Sequence, residues 1–510
     1  MTASFGTAAA LTPATVNLAA LARAMGAVVD GPLAARVPSS LSSDSRDCPP
    51  GALFFAVPGA RDDGVRFLAD AARAGALAAV VDRDHEPAAR ALCGGLPLLV
   101  VPRVRLAKAQ AAHAFHGDPS AELLCVGVTG TKGKTTTANY LHALLDAAGL
   151  APSLLGTIEE RIHGQPSRPS THTTPDALRL AALLAQARDA GGRSLAMEVS
   201  SHALDQERVA GMRFRAALFT QLAREHLDYH PTVEDYRDAK AKLFSMLAAD
   251  AFAVVNGEDP FALSMVARSR ARLVTYGELR GAHVRLVRAE FDVRGSRFEL
   301  ALDASLGGGR LVAAIALPGR HNLMNALAAT AAALALDLPR DAIAAGLAAL
   351  GGVPGRLEPV DVGQPFAVLV DYAHTDDALE KILRLLRPLT SGRLLTVFGC
   401  GGDRDRAKRP RMGRVAARWS DRTIVTSDNP RSEDPAGIVA EIVAGLPSGA
   451  HAEIELDRGR AIARAIELAE PGDVVLIAGK GHEDYQLVGG EKLPFDDRVV
   501  AREHLCRRSA

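Results

Sequence analysis

Residues 125–140 read CVGVTGTKGKTTTANY. The run Cys125, Val126, Gly127, Val128 reads as a short buried strand, and Gly130, Gly133, Lys134, Thr135 and Thr136 follow as a glycine-rich turn. From Thr137 apolar residues recur three and four apart, at Tyr140, Leu141, Leu144 and Leu145, which predicts a helix. Strand, glycine loop with Lys-Thr, then helix is the layout of a phosphate cradle. Backbone N–H groups and the positive end of the helix dipole surround phosphate oxygens, Lys neutralises, and the Thr hydroxyl reaches Mg²⁺. The longer form of this pattern asks for glycine five residues before Gly133, where this chain has Val128, so the loop is the shorter G-x-x-G-K-T. A glycine-rich turn without a ligand is the alternative, but it gives no reason for the adjoining Lys134, Thr135 and Thr136.

On either side of this stretch, short apolar runs alternate with helical patterns, which predicts α/β architecture. Residues up to Thr15 carry no pattern. Strands are expected at 52–57, 78–81 and 98–101, with a helix at 67–74. Two polar turns in this part, SSDSR (42–46) and GARDDG (59–64), suit either a ligand site or plain surface. Beyond the phosphate loop, strands at 195–199, 216–220 and 251–256 each run into polar residues, and in open α/β sheets ligands collect at such strand ends. Residues 282–316 alternate like strands and have a glycine tip at 307–309, as in a hairpin or meander. After the glycine-proline stretch 351–356, a third α/β unit is expected, with strands at 366–372, 394–398, 421–426 and 474–478.

Composition narrows the function. With 510 residues, several domains are expected. Lys+Arg and Asp+Glu both number 59, and aromatics make up 4%, which argues against a nucleic-acid binder working by bulk charge or base stacking. The five cysteines are scattered and lack metal spacing, so they read as reduced thiols. No apolar run approaches a membrane span and no signal sequence opens the chain; the expectation is a cytoplasmic protein without membrane insertion or nucleic-acid partner.

Individual polar residues admit more than one reading. Glu198 interrupts an apolar strand, which is costly unless it is paired or binds a metal. His226 suits a ligand or a cap. Lys240 and Lys242 read as exposed helix lysines. The loop GCGGDRDRAKRP (399–410) is an anion site or a solvated charge run. Arg431 and Glu483 either hold a zwitterion together or pair with each other.

Taken in order, GTKGKTT (130–136), EVSSHALDQERV (198–209), HLDYH (226–230), GRHNLMN (319–325), GRLE (355–358), DYAHTDDALE (371–380), the 399–410 loop, SDNPR (427–431) and GKGHEDYQ (479–486) resemble the Mur ligase family of peptidoglycan assembly. The resemblance spans about 42–500. It implies three domains: a Rossmann-like UDP-binding domain (1–118), a P-loop-like central ATPase domain (119–354) and a Rossmann-like domain for the incoming amino acid (355–510). It implies an ATP-dependent ligase that is a monomer and takes small molecules. The D-Glu side-chain carboxylate of UDP-MurNAc-L-Ala-D-Glu is phosphorylated, and an amine then displaces phosphate.

Carried over by position, the resemblance assigns ATP to Gly130, Thr131, Lys132, Gly133, Lys134, Thr135 and Thr136, with Asn322, Arg356 and Asp371. It assigns Mg²⁺ to Thr135, Glu198, His226 and Lys240, the last as a carbamate, a modification that makes a cation into an anionic ligand. The catalytic set is Lys134, Glu198, His226 and Lys240. UDP-MurNAc-dipeptide falls to Ser43, Ser45, Ala60, Arg61, Asp62, His172, Thr173, Thr174, Ser200, Gln206 and Arg208. At 60–62 the chain departs from a known His-Gln-Ala version. The form Asp428, Asn429, Pro430, Arg431 resembles members that add meso-diaminopimelate, with Arg404, Gly479 and Glu483 completing that set. The chemistry is consistent, because this amino acid carries a second ammonium–carboxylate centre where lysine has only an ammonium.

Overall fold

The computed structural model describes residues 16–29, 31–59, 62–226 and 228–509. The patternless stretch up to Thr15, and Ala60 and Arg61 of the set expected to bind UDP-MurNAc-dipeptide, lie outside the described residues. The described chain gathers into two compact units. One runs to Leu279 and includes Ala328–Leu338; the other comprises Arg280–Leu327 and Pro339–Ala510.

The first unit holds two sheets. Leu41–Ser42, Leu53–Phe55, Ala78–Asp82 and Leu98–Val101 form a parallel sheet in that order. The expected strand at 52–57 is shorter because only Leu53–Phe55 pairs with a neighbouring strand, Leu53 and Phe54 on both sides and Phe55 on one. In the second sheet, Arg272–Gly277, Phe252–Asn256, Phe214–Phe219, Leu124–Thr129, Ser194–Glu198 and Pro152–Leu155 lie side by side, all parallel. Glu159–Arg161 and Arg168–Pro169 extend it antiparallel. The central strands are mostly apolar, as suits a sheet covered on both faces; Cys125, Val126 and Val128 are all fully buried. Leu124–Thr129 sits where the chain switches sides, with its neighbours Ser194–Glu198 and Phe214–Phe219 on opposite flanks. That is the strand edge at which doubly wound sheets bind ligands.

The second unit carries the antiparallel meander Val284–Asp292, Gly295–Leu302, Arg310–Ile315, as the alternation at 282–316 predicts. It also carries a sheet in the order Glu358–Pro359, Ala367–Asp371, Val474–Ala478, Leu394–Phe398, Arg422–Val425, Ala452–Ile454, antiparallel only at its first pair. Tyr485–Val488 and Glu491–Pro494 form a separate hairpin. Apolar clusters line both faces of the parallel sheet, one around Leu369, Phe398 and Leu476, the other around Val368, Val397 and Ile477. Among the described residues no helix is long and apolar enough to cross a membrane.

Candidate active site

The phosphate loop leaves Leu124–Thr129 and enters the helix Lys134–Ala147, which starts three residues before the apolar periodicity does. Its shape is fixed by backbone. Thr131 N–H donates to Gln221 O at 2.8 Å, and Thr220 Oγ1 donates to Lys132 O at 2.7 Å. Gly130 has φ +150°, and a Cβ there would run into the Thr220 hydroxyl. Glycine is therefore required both for its dihedral and for its close neighbour. Gly133 caps the helix with φ +87°, leaving the N–H groups of the first turn outside the helical ladder. Thr135 and Thr136 are buried in that turn.

Two lysines converge on one oxygen. Lys134 Nζ donates to Gly130 O at 3.0 Å and to Thr131 O at 3.1 Å, and Lys240 Nζ reaches the same Gly130 O at 2.8 Å. Lys240 is 1% exposed, which corrects its reading as an exposed helix lysine. It lies on the inner face of Val233–Ser245, with its amine 4.3 Å from the centre of the Tyr236 ring, while Lys242 is exposed and pairs with Asp205. The helical periodicity was present, but which face turned inward was not. Burial, and then the charge of Lys134, push the Lys240 pKa well below the ordinary lysine value. Lys132 pairs with Glu225 at 2.6 Å.

Glu198 ends its strand opposite Val128 and is 1% exposed. Both carboxylate oxygens are held by one residue: Thr157 N–H donates to Oε1 at 2.7 Å and Thr157 Oγ1 to Oε2 at 3.1 Å. No cation pairs with it among the described residues. His226 takes φ +58° and its ring stacks edge-on with His202, centroids 5.2 Å apart. Burial lowers the pKa values of both imidazoles. Among the described residues no group of three or more His, Cys, Asp or Glu side chains is gathered closely enough to hold a metal.

Of the residues expected around the muramoyl dipeptide, Thr174, Ser200, Gln206 and Arg208 form a connected network. Thr174 Oγ1 donates to Glu198 O and accepts from Ser200 N–H, and Arg208 donates to Gln206 Oε1 at 2.7 Å and Thr174 O at 3.0 Å. Thr173 Oγ1 lies 3.1 Å from Thr157 Oγ1. His172 is exposed, within 3.2 Å of Thr171 Oγ1. In the first sheet, Ser43 is exposed, Ser45 begins a short 3₁₀ turn, and Asp62 pairs with Arg66 at 2.9 Å.

In the second unit the polar loops follow the carboxyl ends of parallel strands. Asp371 is buried and accepts from Leu357 N–H and Ala373 N–H, both at 2.8 Å. Desolvation raises its pKa to about 6, against the pull of those N–H groups and of Arg356. Asn322 is buried and donates to Pro318 O at 2.9 Å.

Arg431 and Glu483 do not pair with each other. Arg431 donates to Gly402 O at 2.6 Å, and a Cβ on Gly401 would press on its guanidinium. Glu483 accepts from Asn429 Nδ2 at 2.9 Å and Lys480 Nζ at 3.1 Å. Leu487 N–H donates to Asn429 Oδ1 and Arg431 N–H donates to Leu487 O, so one hairpin strand holds both ends of Asn429–Arg431. Asp428 is buried beside Gly479, with its pKa raised by desolvation against the charges of Arg458 and Lys480. Pro430 O accepts from Glu433 N–H. The arginine run divides. Arg409 is fully buried between Glu433 and Glu441, Arg406 pairs with Glu441, and Arg404 is exposed without a partner among the described residues. Thr157 and the fully buried Lys480 were missed in the sequence; only the lysine inside GKGHED carried a signal.

The family description "Mur ligase family, catalytic domain" matches residues 39–122, "Mur ligase middle domain" 128–333, and "Mur ligase, glutamate ligase domain" 355–481. UDP-N-acetylmuramoyl-L-alanyl-D-glutamate–2,6-diaminopimelate ligase of Gloeobacter violaceus is 48% identical over 472 residues, 92% of this chain and 94% of the relative. Its namesake from Thermosynechococcus vestitus is 46% identical over 472 residues, 92% and 93% of the two chains. A solved structure titled as that same ligase superposes with TM-score 0.75 at 32% identity, covering 98% of this chain and all of the other. With three-domain α/β architecture and these matches along its length, the chain belongs to the Mur ligase family.

Proposed function

We propose that the chain is the ATP-dependent ligase that joins meso-diaminopimelate to the D-Glu side-chain carboxylate of UDP-MurNAc-L-Ala-D-Glu, acting as a monomer in the cytoplasm. The observation that carries this reading is the single strand edge where the glycine loop, the buried Glu198 and the buried Lys240 meet. Binding a nucleotide alone calls for neither of the last two. The names of the relatives support the choice of substrates.

The γ-phosphoryl group of ATP passes to the acceptor carboxylate, giving an acyl phosphate and ADP. The amine then attacks the carbonyl carbon, phosphate leaves with the pair of electrons of the broken C–O bond, and the nitrogen gives up one proton, which the released phosphate can take. No side chain acts as a covalent nucleophile. Catalysis is positioning and charge neutralisation. The first-turn N–H groups and Lys134 hold the phosphates; Asn322, Arg356 and Asp371 serve the nucleotide; Thr173, Thr174, Ser200, Gln206 and Arg208 hold the muramoyl dipeptide.

The residues fit a divalent cation. Glu198 is a buried carboxylate without a counter-cation among the described residues, an arrangement that is costly unless a cation joins it. The lowered pKa favours the neutral amine of Lys240, the form that adds CO₂ to give a carbamate and a proton. Thr135, Glu198, His226 and the Lys240 carbamate would hold Mg²⁺, which supplies screening between ATP and the anionic acceptor. In the second unit, Arg431 with Arg404 takes the far carboxylate of meso-diaminopimelate, and Glu483 with Asn429 takes the far ammonium.

A phosphate-release assay tests the whole reading. Release is expected only when ATP, UDP-MurNAc-L-Ala-D-Glu and meso-diaminopimelate are all present. Equal ATP turnover without the amino acid overturns ligation, and equal use of lysine overturns the amino-acid assignment.

A further inference from the structure

Thr157 belongs to none of the motifs that identify the family, yet it is the residue on which Glu198 rests. The strand Pro152–Leu155 lies beside Ser194–Glu198, with Leu155 level with Met197. The chain therefore leaves that strand directly against the Glu198 side chain. Gly156 is pressed so closely that a Cβ would sit 2.6 Å from Glu198 Oε1. The next residue, Thr157, supplies both donors to the carboxylate, its N–H to Oε1 at 2.7 Å and its hydroxyl to Oε2 at 3.1 Å.

Counting protons extends this contact to the substrate side. A carboxylate only accepts, and a threonine hydroxyl has one proton. Thr157 gives that proton to Glu198. The 3.1 Å contact between the Thr157 and Thr173 hydroxyls must then be donated by Thr173. Thr173 has spent its proton inside the protein and has only lone pairs left to offer.

We propose that Thr157 is a positioning residue that holds the Glu198 carboxylate and, through the one-way chain Thr173 to Thr157 to Glu198, makes Thr173 an acceptor for an N–H of the bound muramoyl dipeptide. This rests on the reading of Glu198 as the metal-side carboxylate. Partners of metal-ligating side chains typically change affinity or rate by about 10- to 100-fold when removed.

The test compares Thr157→Val, which keeps the shape and the backbone N–H but not the hydroxyl, with Thr157→Ser, which restores it, and uses Glu198→Gln as reference. Thr157→Val is expected to lower kcat about tenfold and to raise the half-saturating Mg²⁺ concentration severalfold, with the KM for diaminopimelate unchanged. Calorimetry in metal-free buffer should show weaker binding of UDP-MurNAc-L-Ala-D-Glu to Thr157→Val. Thr157→Ser should recover all three properties. Wild-type Mg²⁺ dependence and dipeptide affinity in Thr157→Val overturn the proposal. So does a loss that touches every substrate alike, lowers the melting temperature and is not recovered by serine. If Glu198→Gln keeps Mg²⁺-dependent turnover, it is the reading of Glu198 that fails. An inactive Glu198→Gln beside an unaffected Thr157→Val overturns the proposal alone.

Discussion

The phosphate loop of the first unit and the amino-acid loops of the second are built on the same plan with different materials. Both follow the carboxyl ends of parallel strands. The phosphate loop is seven consecutive residues that offer main-chain N–H groups with Lys134 and Thr135 beside them, and its neighbours fix it by bonding to its own carbonyls and N–H groups. The amino-acid loops come from three separate stretches and work through side chains, which need compensation. Arg409 is balanced by Glu433 and Glu441, Lys480 by Glu483, and Arg431 rests on a carbonyl. A site made of backbone depends on the absence of a side chain at one glycine. A site made of charged side chains depends on every partner being present.

The comparison is tested most severely at Gly130. Gly130→Ala places a methyl group on the Thr220 hydroxyl and forces a side chain into a dihedral region that glycine favours. The carbonyl that receives both Lys134 and Lys240 moves with it. A loss of about 10³ in kcat/KM for ATP is expected, from misplacement and lost charge stabilisation together. The strain should also lower the melting temperature by a few degrees, about what 1–3 kcal/mol gives, and near-normal kinetics would show that the loop is not held by its backbone.

Among the described residues, the buried carboxylates with a raised pKa, Asp371 and Asp428, both lie in the second unit. Asp371 keeps its proton in the folded state up to about pH 6, whereas the unfolded chain releases it near the ordinary 3.8. Between those values the folded state binds more protons. Stability therefore falls as pH rises through this window, by about 3 kcal/mol in full, and the cost is absent below it. Asp371→Asn should flatten that slope while keeping an acceptor for one of the two N–H groups. The chain has a single tryptophan, Trp419, and it lies in this unit, so urea unfolding followed by its fluorescence at pH 4.5 and pH 7 reads the effect where it arises. Identical slopes in both proteins would refute it.

At Arg431 the side-chain character of the second site is read directly. Arg431→Ala should reduce kcat/KM for meso-diaminopimelate about 100-fold, because it removes the fork for the far carboxylate and strands that charge. Arg431→Lys should recover little, since an ammonium offers no fork. The KM for ATP should not move; an equal loss there would dissolve the distinction between the two sites.

The same difference in materials explains what the sequence disclosed. The glycine loop, the strand ends and the meander follow from local pattern and were legible. Glu198 was legible as an anomaly, a carboxylate closing an apolar strand. Lys240 was not, because a helix with lysines two apart does not say which one faces inward; packing against Tyr236 decides it. Thr157 left no trace, since its role comes from the register of two strands that lie 42 residues apart. The arginine run was ambiguous because its members have three different fates, set by the distant Glu433 and Glu441.

That ambiguity supplies the smallest and finest test. Arg406 and Glu441 form a surface pair, and Glu441 keeps Arg409 as a partner when Arg406 is removed. Exposed pairs contribute little, so Arg406→Ala should leave kcat and every KM within about twofold of wild type and the melting temperature nearly unchanged. Arg404, two residues earlier and also exposed, has no partner to satisfy among the described residues. If it waits for the carboxylate of the amino acid, Arg404→Ala should raise the KM for diaminopimelate about tenfold and nothing else. Steady-state kinetics of the two variants side by side separates a cation reserved for substrate from one already satisfied by the protein. Equal effects would mean that the loop acts as a diffuse positive field, and the second site would then be less dependent on individual side chains than its contacts imply.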